Sequence, residues 1–166
     1  MRARRAKLAD VVAIHALVAK YAAQGLLLPR PEAEIRAHIG HFLVLAEKEH
    51  IAGCVALEPY GSKLAEIRSV AVDDATQGRG LGAKLVQFAL AEAKRRGFTR
   101  VFAVTHAPEF FQRQRFALSH RRALPEKIER DCNSCPKQRN CHLSAVVAVV
   151  HPERVMLPVL ATSATA

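Results

Sequence analysis

The chain has 166 residues and a formal net charge of +10, with half of its residues apolar and about a quarter charged. That composition suits one globular domain with its own core, and no apolar run approaches the ~20 residues needed to span a bilayer. Trp is absent and aromatic residues make up only 5%, so platforms for stacking bases are scarce; the charge is expected to steer small anions or acidic substrates rather than nucleic acid.

A short basic strand at the N-terminus leads into apolar residues at helical spacing, Leu8, Val11, Val12, Ile14, Leu17, Val18 and Tyr21, with Gly25 as a stop. The basic Met1–Lys7 stretch lacks a small-residue cleavage site, so a cytoplasmic protein is expected. A loop over 26–31 with two prolines precedes a second helix, which Pro31, Glu32 and Glu34 open and Gly40 ends. Strands are predicted over 42–46 and 51–57, around a turn at 47–50, and again over 64–72, with residues 59–62 as connector. Residues 80–96 read as a long amphipathic helix closed by Gly97. A short strand over 101–105, a short helix over 108–114, a strand from Phe116 and a last strand over 144–150 complete the pattern. Residues 126–142 read as a polar, cysteine-bearing insertion, and 152–166 as a disordered tail after a domain of residues 1–151. Hairpin strands that give way to strand–helix alternation imply one α/β domain with a mixed sheet flanked by helices.

Gln77-Gly78-Arg79-Gly80-Leu81-Gly82-Ala83 lies between a strand and the long helix. Glycines at that junction let backbone N–H groups approach a phosphate at a helix N-terminus, where the dipole also favours anions. The turn lacks the Gly-Lys-Ser/Thr ending of a Walker loop, and its spacing is not the dinucleotide fingerprint.

The stretch Ile67 to Val86, with Gln77, Gly80 and Gly82 filling a Q/R-x-x-G-x-G/A pattern, resembles the acetyl-CoA motif of Gcn5-related N-acetyltransferases. That resemblance implies a cofactor site made by Gln77 to Ala83 and by the backbone of Val70, Ala71 and Val72, along which the pantetheine arm would lie. Over about Arg2 to Val150 the chain also resembles the acetyltransferase domain of N-acetylglutamate synthases in its short, stand-alone bacterial form. The pieces are Gln24 to Arg30, Cys54 to Leu57, Ala65-Glu66-Ile67, Val101 to Thr105, Phe110-Phe111, Leu124 to Lys127 and Asp131-Cys132-x-x-Cys135-Pro136.

This second resemblance implies acetyl transfer from acetyl-CoA to the α-amine of L-glutamate, an entry step to arginine biosynthesis. The alternative is an enzyme of the same family acting on another amino acid, a small amine or a protein N-terminus. By position, Glu66 matches the acid that helps deprotonate the amine, and Thr105 a hydroxyl near the leaving thiolate. Arg30 and Ser69 match substrate-pocket positions. Lys127, Arg130 and Arg139 are candidates for a second carboxylate anchor, with Lys127 taken first. Each has a plainer reading: Glu66 as a strand carboxylate paired with Arg68 or Lys63, Arg30 as a solvated loop arginine. Phe111 stands where many relatives carry a proton-donating Tyr, and Arg115 where a glycine is usual before Phe116.

Cys132, Cys135 and Cys141 form C-x2-C-x5-C. A C-x2-C pair is a common zinc half-site, but a matching second pair is lacking, so zinc stands beside two other readings: reduced structural cysteines and a redox-sensitive pair. Oligomeric state is open, with a homodimer one option.

Overall fold

The run Phe42-Leu43-Val44-Leu45-Ala46 has no polar face, and such a strand needs a sheet covered on both sides. In the computed structural model, which describes residues 1–136, 139 and 141–151, it becomes strand β2 and is buried up to Glu47. The expected tail, 152–166, lies outside the described residues. In chain order the elements are β1 (Arg2–Arg5), α1 (Val11–Ala23), α2 (Glu32–Ala37), β2 (Phe42–Glu47), β3 (His50–Tyr60), β4 (Leu64–Val72), α3 (Leu81–Arg95), β5 (Arg100–Thr105), α4 (Pro108–Gln112), β6 (Ala117–Ser119), α5 (Pro125–Lys127) and β7 (Ser144–Val149). The fold is the expected one, a single α/β domain with a seven-stranded mixed sheet in the order β1-β2-β3-β4-β5-β7-β6.

Because side chains alternate along a strand, β2 feeds two cores. Leu43 and Leu45 join Val55, Leu57, Ile67 and the inner face of α3, namely Leu81, Leu85, Val86, Ala89 and Ala93. Phe42, Val44 and Ala46 join Cys54, Ala56 and the α1 residues Val11, Ile14, Leu17 and Val18. A third, smaller cluster of Tyr60, Leu64, Phe102, Leu124 and Ala145 closes one end of the sheet.

All neighbouring strands run antiparallel except β4 and β5. That parallel pair is short: Leu64 faces Arg100, Ala65 faces Val101 and Glu66 faces Phe102. Past Glu66 the two strands separate, although β5 continues to pair with β7 as far as Thr105. A second irregularity lies just beyond. Cys54 faces Ala71 and Ala56 faces Arg68, so Val55 alone opposes both Ser69 and Val70. This is a β-bulge in β4, and Ser69 carries its positive φ of 52°.

Three expectations need correction. Strand β3 continues through Pro59 to Tyr60; β2 pairs with it only as far as Ala56, so Pro59 sits at an edge position that proline tolerates. The helix expected over 31–40 stops at Ala37 and is followed by a 3-10 turn, Ile39–His41. The supposed polar insertion begins as ordered helix, α5 followed by a π-turn over Ile128–Cys132. Its anchors are buried Leu124 and Lys127.

Candidate active site

The separation of β4 from β5 opens a cleft of about 1320 Å3. One end is the glycine turn. Gly78 and Gly80 have φ of 75° and 70°, a region that costs a residue with a Cβ roughly 1–2 kcal/mol. Gly80 is the N-cap of α3 and caps it with no side chain. The first intrahelical bond at the helix start runs from Lys84 N to Gly80 O, so the N–H groups of Leu81, Gly82 and Ala83 remain available to an anion. Gly82 has helical backbone, and a Cβ there would make only ordinary contact with the Phe110 ring, 3.5 Å away, so this position does not require glycine as a turn does.

The turn is braced from below. Gln77 Nε2 donates to Tyr21 Oη at 2.6 Å and to Asp74 Oδ1 at 3.0 Å, and the Tyr21 hydroxyl lies 2.5 Å from Val72 O. Lys20 pairs with Asp74. The Gln77 side chain therefore positions the turn against α1 and β4, and Gln77 is itself part of the cleft lining. Arg79 is exposed and outside the lining. Val70, Ala71, Val72, Gly78, Gly80, Leu81, Gly82 and Ala83 all lie along the cleft, as do Ser69 and Thr105. Thr105 Oγ1 accepts from Ala107 N at 3.0 Å, which leaves the hydroxyl proton free to donate elsewhere.

The other end is built from side chains. Glu58 and Glu66 are direct partners across β3 and β4, an arrangement that is unfavourable unless each carboxylate has its own cation. Glu58 takes Arg130 at 2.6 Å and His41 at 3.2 Å; the His41 contact, with Arg130 adding to it, holds its carboxyl down at about 2 against the cost of burial. Glu66, 3% exposed, takes Lys127 Nζ at 2.9 Å and the Tyr60 hydroxyl at 2.9 Å, with Arg68 Nε at 3.6 Å. All of these contacts fall on Oε2. Glu66 thus has the ion-pairing partner Arg68 that its plainer reading supplies, and it lines the cleft as well.

Arg30 departs from its plainer reading. Prolines 29 and 31 fix the backbone on either side, and the guanidinium is buried at 6% exposure beside the Phe42 ring, 5.8 Å from its centre. Its carboxylate partner, Glu34, is 3.5 Å away, longer than a charge-assisted bond. Burial first, and the neighbouring Arg68 second, pull the guanidinium below its ordinary value. Arg30 and Arg68 line the same cleft, and an anion between them would relieve both costs.

Lys127, expected to meet a substrate, does not line the cleft. It is buried behind Glu66 and spent on Glu66 and on Asp131, 2.6 Å away. Arg130 is likewise spent on Glu58 and on Pro59 O. Arg68, considered in the sequence only as a partner for Glu66, is the cation that shares the cleft with Arg30. Its signal was available, since it lies two residues after Glu66 and shares its strand face.

The zinc candidates Cys132, Cys135 and Cys141 are free thiols, and among the described residues no group of three His, Cys, Asp or Glu side chains is placed to hold a metal. Cys135 and Cys141 instead form part of the cleft wall with His142 and Leu143. Cys54 is no nucleophile: burial pushes its thiol up to about 12, where the thiolate is essentially absent near neutrality.

The sheet divides these two ends. α3 packs on the face that carries Leu57 and Ile67; Glu66 and Arg68, alternating with Ile67, belong to the opposite face. The gap between β4 and β5 is the passage through which groups held on the two faces can meet.

Comparison with known proteins identifies the family. Residues 12–117 match the acetyltransferase (GNAT) family. The chain is 39% identical over 144 residues to an uncharacterized N-acetyltransferase of Chlorobaculum tepidum, covering 87% of this chain and 93% of that protein. It is 38% identical to an amino-acid acetyltransferase of Mycobacterium tuberculosis, over 68% of this chain and 66% of the relative. Among solved structures, N-acetylglutamate synthase from Neisseria gonorrhoeae, complexed with coenzyme A and N-acetyl-glutamate, superposes with a TM-score of 0.82 at 27% identity. The match covers 91% of this chain but 35% of that one. No helix among the described residues is long and apolar enough to cross a membrane. The chain is an acetyl-CoA-dependent N-acetyltransferase that belongs to the GNAT family.

Proposed function

We propose that the acceptor is the α-amine of L-glutamate and that the product, N-acetylglutamate, enters arginine biosynthesis in the cytoplasm. The observation that carries this reading is the buried, under-neutralised Arg30 guanidinium facing Arg68 in the cleft that also holds Glu66. Two guanidiniums suit an acceptor with two carboxylates, because each offers a planar, bidentate fork. The similarity to the Neisseria and Mycobacterium proteins supports the same choice.

In this reading the N–H groups at the start of α3 take the pyrophosphate, and β4 residues Val70 to Val72 offer the pantetheine arm the strand edge that β5 leaves open. The thioester then lies in the gap between β4 and β5. Arg30 and Arg68 fix the acceptor's carboxylates, with Ser69 at the bulge between acceptor and donor. Glu66 takes a proton from the ammonium group, directly or through a water, because only the free amine attacks the thioester. The nitrogen bonds to the carbonyl carbon and the C–S bond breaks onto sulfur. The Thr105 hydroxyl, kept free to donate by the Ala107 N–H, faces the departing thiolate; Phe111 has no proton to give.

The test is thiol release from acetyl-CoA against a panel of amino acids, polyamines and peptide N-termini. Turnover with glutamate well above every other acceptor is expected. Turnover with another amine and none with glutamate would overturn the reading.

A further inference from the structure

Acetylation of an ammonium group releases one net proton per turnover, and Glu66, when both substrates fill the cleft in front of it, has little access to solvent there. Behind it lies another route. The Tyr60 hydroxyl is 2.9 Å from Glu66 Oε2 and 2.5 Å from Asp131 Oδ2. The Asp131 side chain is 27% exposed, against 4% for that of Glu66. Lys127 Nζ lies 2.9 Å from Glu66, 2.6 Å from Asp131 and 3.3 Å from the Tyr60 oxygen, which fixes both carboxylates around the phenol. The Tyr60 ring is held edge-on against Phe102 and under Arg130.

We propose that Tyr60 and Asp131 are positioning residues that conduct the acceptor's proton from Glu66 to solvent at the back of the site. The proposal rests on Glu66 acting as the base. The step balances with the residues present. Glu66 Oε2–H gives its proton to the Tyr60 oxygen as the Tyr60 O–H proton passes to Asp131 Oδ2. Asp131 then releases that proton to water, and rotation of the phenol returns its remaining proton to the starting orientation. The short contact to Asp131 is the orientation this needs: a hydroxyl that donates to Asp131 keeps a lone pair for an incoming proton from Glu66. Sequence offered no hint of the route, since Tyr60 and Asp131 are 71 residues apart.

The test is Tyr60→Phe, which keeps the ring packing, and Asp131→Asn, which changes a partly exposed group. Each is assayed for kcat and both KM values, in water and in heavy water, with and without imidazole as a mobile proton carrier. Both variants are expected to lose about ten-fold or more in kcat, with each KM within about two-fold of wild type, and to regain rate as imidazole rises. A purely structural role would not produce buffer rescue. Unchanged kcat in both variants, or a loss that imidazole and heavy water leave untouched, would overturn the proposal. Glu66→Gln separates the layers: if it is inactive while Tyr60→Phe and Asp131→Asn behave as wild type, the base stands and the relay fails. If Glu66→Gln keeps full activity, the base reading fails first.

Discussion

The two ends of the cleft are built in different currencies. The end at Gly78 to Ala83 uses backbone: left-handed glycines, an uncapped helix start and strand edges left without partners. The end at Arg30, Glu66 and Arg68 uses side chains drawn from a loop, a strand and, through Lys127 and Asp131, a helical segment far along the chain. Backbone recognition tolerates many sequences but not a Cβ in the wrong place. Side-chain recognition tolerates none of its charges being removed, because each buried cation or carboxylate leaves another unpaired.

Mutations should separate the ends cleanly. The largest effect is expected from Glu66→Gln, with kcat down about 100-fold or more and the KM for acetyl-CoA little changed, since a positioned base contributes ~10²–10⁴ in rate. Steady-state kinetics near neutral pH would show it, and an equal loss in both parameters would mean that the two ends are not separable. Arg30→Ala is expected to lower kcat/KM for glutamate about 100-fold, again sparing acetyl-CoA, with Arg30→Lys recovering only part because an ammonium cannot replace a bidentate fork. A substrate-saturation series on both variants checks this. Gly80→Ala should act the other way round, weakening acetyl-CoA binding about ten-fold by calorimetry while leaving the acceptor's KM alone, the strain of a Cβ at positive φ being ~1–2 kcal/mol.

The smallest effect concerns acid. Glu58 has a folded-state value of about 2, below the ordinary carboxylate range, so its pairing stabilises the fold fully above about pH 5 and is lost as pH falls through about 2. Asp131 is shifted in the same direction: Lys127 and Tyr60 outweigh the burial that would raise it. Chemical denaturation between pH 5 and 2 should therefore show a steeper loss in wild type than in Glu58→Gln, while above neutrality wild type should melt higher than the variant by an amount that no longer changes with pH.

The donor end was legible because its signal is local. Gln77, Gly78, Gly80 and Gly82 fall within six residues, and their backbone roles follow from spacing alone. The acceptor end was legible only in pieces. Glu66 and Arg30 could be named but not placed, since burial of a loop arginine between two prolines depends on what α2 and β2 pack against it. Lys127 was chosen for its charge and proved to be a counter-ion, because nothing local announces that Glu58 and Glu66 face each other and need cations of their own. The cysteines carry a metal-like spacing, yet Cys132 ends a helical turn while Cys135 and Cys141 join the cleft wall, so the three do not surround a common centre. The register break at Ser69 left no mark in composition, although Ser69 is part of the cleft wall.

The brief parallel pairing of β4 with β5 has a mechanical consequence. Two strands that part after three rungs form a wedge, and Glu66 is the last rung. Any spreading of a wedge displaces its mouth most and its vertex least. The cleft therefore has its mouth towards Val72 and Thr105, where a long ligand has room to lie, and its apex at the Glu66 carboxylate.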